Sequence, residues 1–93
     1  MKDDYETPLD WDDANREHAT RRVSETEINQ IFANRDALKI ESNSGELRSG
    51  DYIAYGITDG GKRVAVVFQY PVITPHGQEL PTPRPITAWE LKT

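Results

Sequence analysis

The chain has no cysteine, only two histidines, and no apolar run approaching the ~18 residues that a membrane-spanning helix requires. Without cysteine there is no disulfide framework, no thiolate metal site and no thiol nucleophile. Two histidines leave little material for a zinc site, which draws most of its ligands from Cys and His. Neither a metal nor a cofactor is expected, and no phosphate-cradling P-loop, dinucleotide fingerprint or nucleophile elbow is present. No charged-then-apolar leader precedes the body of the chain, so the sequence predicts neither membrane insertion nor signal-driven export. A cytoplasmic place agrees with the missing cysteine. Apolar residues make up 35% and aromatics 9% of the 93 residues, with a mean hydropathy of −0.75. A chain of this length hides only ~60–65% of its unfolded surface. The expected molecule is one small domain with a lean core and any site close to its surface.

The formal charge of −5 is unevenly placed. Residues 1–13 hold Asp3, Asp4, Glu6, Asp10, Asp12 and Asp13 against Lys2 alone, and residues 14–93 carry ten acids and ten bases. The body is neutral, so clustered arginines can still present a positive face to a polyanion. Residues 1–8 are polar, end in Pro8, and read as a flexible acidic head. Residues 9–93 read as a single domain.

Along that domain the apolar pattern changes period once. Leu9 and Trp11 alternate around Asp10, which predicts a short strand with both side chains on one face. Asp12 is a helix N-cap candidate for a helix over residues 14–20. Ser24 and Glu27 form a capping box, with Val23 placed to staple against Ile28. Ile28, Ile31 and Phe32 then give one apolar stripe, closed by Asn34. From residue 37 the period is two. Strands are predicted over 37–41 with Leu38 and Ile40 inward, over 51–57 with Tyr52, Ala54 and Gly56 opposite Ile53, Tyr55 and Ile57, over 62–70, and from Arg84 to Trp89. Residues 58–61 form a tight hairpin turn with glycine where φ is positive. The almost unbroken apolar run Val64 to Phe68 marks the third strand as central. Residues 42–50 read as a turn-rich connection and 71–83, with four prolines, as a long loop. The expected architecture is α+β: two N-terminal helices packed on an antiparallel sheet of about four strands.

Five stretches resemble the BrnT family of type II toxins, which have the RelE-like ribonuclease fold. Trp11-Asp12 through Asn15 to His18 is similar to the family's aromatic–acidic start of its first helix. Val23-Ser24 with Glu27 resembles its V-S-x-x-E opening of the second. Gly45-Glu46-Leu47-Arg48 resembles the G-E-x-R before its central hairpin. Gly56, the Asp59-Gly60-Gly61 turn and Val64 to Phe68 are similar to that hairpin. Arg84-Pro85-Ile86-Thr87-Ala88 resembles the last strand, R-x-I-[ST]-A-R. The resemblance implies a metal-independent endoribonuclease that acts on mRNA and is held by a cognate antitoxin. Thr20-Arg21-Arg22-Val23 stands where the family has K-H-G-V, Trp89 replaces the terminal arginine of the last strand, Glu90-Leu91-Lys92-Thr93 stand where a C-terminal helix is usual, and the chain is acidic where such toxins are basic.

Cleavage of this kind uses the ribose 2′-hydroxyl as nucleophile, a base and an acid for the protons, and fixed cations on the phosphate. The catalytic candidates are therefore Arg84 as phosphate clamp, His18 as proton-transfer group and Arg48 as a second guanidinium. Arg21, Arg22, Lys62 and Arg63 are the RNA-binding candidates. Each has a plainer reading: Arg84 paired with a neighbouring acid, Arg48 with Glu46, His18 facing solvent beside Glu17, the basic pairs solvated. His76 is read as an ordinary loop residue. Trp11 and Trp89 are read as closing the ends of the core, with base stacking as the alternative. Asp10, Asp12 and Asp13 are read as a helix-start cluster rather than a cation site. The functional alternative to the nuclease is an inert RNA- or protein-binding module on the same scaffold.

Overall fold

Two capping boxes start the two helices. The computed structural model describes residues 9–43 and 51–92. Ahead of α1 (Asp13–Ala19) the Asp12 carboxylate accepts the Asn15 amide at 3.1 Å, and Asn15 Oδ1 accepts the Asp12 amide at 2.8 Å. Ahead of α2 (Glu25–Ala33) Ser24 and Glu27 make the same exchange at 3.1 and 3.0 Å. Val23 and Ile28, on either side of that cap, are both fully buried, as a hydrophobic staple requires. Asn34 ends the helix, its amide bonded to Gln30 O.

The four-stranded antiparallel sheet has the order β1 (Lys39–Ser42), β2 (Tyr52–Ile57), β3 (Arg63–Gln69), β6 (Arg84–Glu90). Alternation along β3 sends Val64, Val66 and Phe68 toward the helices and Ala65 and Val67 to the other side. All five are buried, which explains the unbroken apolar run. Between β2 and β3 the turn closes through Thr58 N–H to Lys62 O and Gly61 N–H to Thr58 O, with Gly61 at φ +90°. α1 packs on β6, and α2 on β2 and β3. The main core between helices and sheet holds Leu9, Ala19, Val23, Ile28, Ile31 and Phe32 against Ala54, Val64, Val66, Phe68 and Ala88. Gly56 permits the close approach of α2, since a Cβ there would lie 2.7 Å from Ile31 Cβ. This is the predicted α+β architecture of helices on an antiparallel sheet.

Three local expectations are corrected. Residues 9–11 are not a strand; one backbone bond, Asp10 N–H to Pro83 O at 2.8 Å, holds them, while Leu9 and Trp11 still meet the core. Residues Arg35–Ala37 form a 3-10 turn, so β1 starts two residues late. Leu38 is half-buried, but Ile40 is 51% exposed because β1 is an edge strand beyond the helices that pack on its neighbours. The proline-rich loop folds a small hairpin of its own, β4 (Val72–Ile73) with β5 (Glu79–Leu80), around a turn with Gly77 at φ +84°. The expected flexible head over residues 1–8 and the connection over 44–50, with Arg48, lie outside the described residues. No helix among the described residues is long and apolar enough to cross a membrane.

Candidate nucleic-acid interface

The helices cover one face of the sheet, and the register fixes what stands on the other. Lys39, Tyr55, Ala65 and Trp89 are consecutive cross-strand partners from β1 to β6. On one side of this row lie Ile57 and Arg63, with Leu91 bonded through its amide to Arg63 O at 2.8 Å. On the other side lie Glu41, Ile53, Val67 and Thr87. Ile53, Ala65 and Val67 are buried under Tyr55, Ile86, Trp89 and Leu91, which remain half-exposed and form a second, shallow apolar cluster. Ile86 is the extra residue of a bulge opposite Val67 and Phe68. Strands lie about 4.8 Å apart, so the Tyr55 and Trp89 backbones are separated by roughly 10 Å across the small Ala65. Lys39, Tyr55, Arg63 and Leu91 share a shallow depression of about 390 Å³. Neither Lys39 nor Arg63 makes an ion pair among the described residues.

The two tryptophans have different surroundings. Trp11 is fixed on the helix side: its indole N–H donates to Asn29 Oδ1 at 3.2 Å, and the Arg16 guanidinium lies 5.8 Å from its ring centroid. It closes the main core as expected. Trp89 stands on the uncovered face, where its ring is half-exposed.

The other predicted site residues do not converge with one another. Arg84 opens β6 but is engaged by two acids: Nη1 lies 2.8 Å from Asp10 Oδ2 and 3.0 Å from Asp12 Oδ2, and Nη2 lies 3.2 Å from Asp12 Oδ1. The Arg84 hydrogen bond, with the Asn15 amide, holds the Asp12 carboxyl below its ordinary range. In return Asp12, with Asp10, raises the guanidinium pKa against a partial burial that opposes it. The plain reading of Arg84, paired with acids, is what the geometry shows. Those acids are the helix-start cluster, and Asp12 is the cap of α1. His18 sits six residues beyond Asp12, about 9 Å along the helix axis, in the last turn of α1. Arg21 and Arg22 are exposed in the bend between the helices. Lys62 is bound to Glu27 at 2.8 Å, which raises its pKa; Lys62 and then the Ser24 amide lower that of Glu27. Lys62 is thereby tied to α2, while Arg63 belongs to the uncovered face. His76 is exposed in the turn of the small hairpin. No cluster of three or more metal-ligating side chains occurs among the described residues.

Lys39 and Tyr55 were not singled out by sequence. Their signal was the alternation that sets Ile53, Tyr55 and Ile57 apart from Tyr52, Ala54 and Gly56; what was lacking was knowledge of which set the helices cover. Comparisons with protein-family models, curated proteins and solved structures find no match. The toxin resemblance accordingly rests on its five sequence stretches alone.

Proposed function

We propose that the protein is a non-cleaving module that binds single-stranded RNA on the uncovered face of its sheet. The observation that carries this is one row of side chains. Tyr55 and Trp89 flank a small Ala65, Lys39 stands at the β1 end, and Arg63 lies one row away, both cations without an ion-pair partner among the described residues. Aromatic rings on an open antiparallel sheet stack unpaired bases at about 1–3 kcal/mol per base, and flanking cations track the phosphates. Glu41 bounds the cationic end, so the expected footprint is short, one or two nucleotides.

A nuclease of the kind the resemblance implies needs an imidazole and a free guanidinium over one phosphate. The engagement of Arg84 by Asp10 and Asp12, and its placement at the opposite end of α1 from His18, support binding over cleavage.

Fluorescence anisotropy with a labelled oligouridylate tests the proposal. Tyr55→Leu and Trp89→Leu keep apolar cover over Ile53, Ala65 and Val67 while removing the π face. Each is expected to weaken binding by tenfold or more, and Lys39→Ala or Arg63→Ala to flatten the salt dependence. Equal affinity in the wild type and both leucine variants would sink the proposal. Cleavage of the oligonucleotide, lost in Arg84→Ala, would return the assignment to the toxin nuclease.

A further inference from the structure

On the helix side, α2 stops at Ala33, and one end of the sheet has no helix over it among the described residues. There Phe32, Leu38, Ile40, Tyr52, Phe68 and Tyr70 line a groove of about 470 Å³. That volume is within the ~300–1,000 Å³ common for small-molecule sites. Three rings form a continuous wall: Phe68 meets Phe32 edge-on at 5.4 Å and stacks on Tyr52 at 5.7 Å. Ile40 and Tyr70 keep 51% and 39% of their surface exposed, large values for such residues in a domain this poor in apolar side chains.

Among the described residues the groove has one charged side chain. Arg35, in the 3-10 turn after α2, is exposed at the rim and makes no ion pair among the described residues. Arg16, Lys62 and Arg84 are each held by a carboxylate within 3 Å, whereas the Arg35 guanidinium stands unengaged beside an apolar cleft.

We propose that this groove binds a small arylalkyl carboxylate, its ring against Phe32, Tyr52 and Phe68 and its carboxylate on Arg35. Apolar walls select an apolar body, and a guanidinium at the edge selects a planar anion that it can bond through two parallel N–H groups. The existing edge-on and stacked contacts favour an aromatic ring over an alkyl chain. A phosphate ester or nucleotide is disfavoured, because among the described residues a single cation faces an otherwise apolar wall. The site is independent of the RNA face: Tyr52 and Phe68 point to the side of the sheet opposite Tyr55 and Trp89.

The test is a titration of the full chain with 4-phenylbutyrate, read by amide chemical-shift changes, with 4-phenyl-1-butanol and hexanoate as the uncharged and ring-free controls. Saturable one-to-one binding is expected, with shifts centred on Phe32, Arg35, Tyr52 and Tyr70 and with both controls at least fivefold weaker. Arg35→Gln is expected to lower phenylbutyrate affinity at least fivefold while leaving that of the alcohol unchanged. Ile40→Glu, which sets a negative charge on the exposed part of the groove wall, is expected to lower phenylbutyrate affinity at least fivefold and to weaken the alcohol less. Absence of saturation at millimolar ligand, a smaller effect in either variant, a control as tight as phenylbutyrate, or shifts centred on Tyr55 and Trp89 would each overturn the assignment.

Discussion

At Arg84 one guanidinium spans two carboxylates that lie more than 70 residues earlier in the chain. Its position on the last strand was legible in the sequence, and so was the chance of an acidic partner. Which acids was not, because no local spacing links residues 10 and 12 to residue 84. The same contact makes a pH prediction. Asp12 and Glu27 have carboxyl pKa values lowered in the fold, Asp12 by Arg84 and the Asn15 amide, Glu27 by Lys62 and the Ser24 amide. A group depressed in the fold binds protons more readily when unfolded, so its contribution is present above the unfolded pKa and lost as pH falls through the folded one. The urea midpoint is expected to decline as pH drops below about 4, and less steeply in Asp12→Asn. A decline of the same steepness in that variant would show that the Asp12 contact contributes nothing to acid stability.

Among the elements, caps and turns were the most readable parts. Ser24 with Glu27, and Thr58 through Lys62, are closed by contacts within four residues, so sequence order alone brings the partners together. Strand edges were less so. Ile40 reads as inward by alternation, yet inward means burial only where a helix packs closely above, and among the described residues the helices pack mainly on β2, β3 and β6. The small β4–β5 hairpin was hidden by the prolines around it. Helix-to-strand contact also gives the sharpest stability prediction. Gly56→Ala sets a methyl 2.7 Å from Ile31 Cβ, a backbone-proximal atom with little freedom to yield. Overpacking of this kind typically costs about 1–3 kcal/mol, and thermal denaturation should show a matching fall in Tm with the far-ultraviolet spectrum of the folded protein preserved. Ser24→Ala should cost about 1 kcal/mol through loss of the cap.

For the molecule as a whole, the α+β class followed from one change of apolar period and was legible in full. The candidate interface was legible only in part: Arg63 and Trp89 were named, Lys39 and Tyr55 were not, because a strand's two faces become distinguishable only once the helices choose one of them. Charge distribution makes the prediction at this scale. Removing residues 1–8 takes away three carboxylates and one lysine, lessening the negative field against which RNA would bind under the proposed function. Affinity for oligouridylate is expected to rise at 20 mM salt and to converge with that of the full chain near 0.5 M, where screening over a few ångströms erases the difference (roughly 4 Å at that salt). Equal affinities at low salt would dismiss a competing role for the acidic head.

Asn15 fastens α1 to the start of β6 across 70 residues of sequence. Its side-chain amide donates to the Asp10 carbonyl at 2.8 Å and to the Pro85 carbonyl at 2.9 Å, and α1 rests on β6, the last strand in sequence. A nascent chain synthesised as far as residue 83 therefore holds its first helix with no strand to lie on. α1 leaves the ribosome well before β6 yet can take its place only after it, so this domain closes only once β6 has emerged.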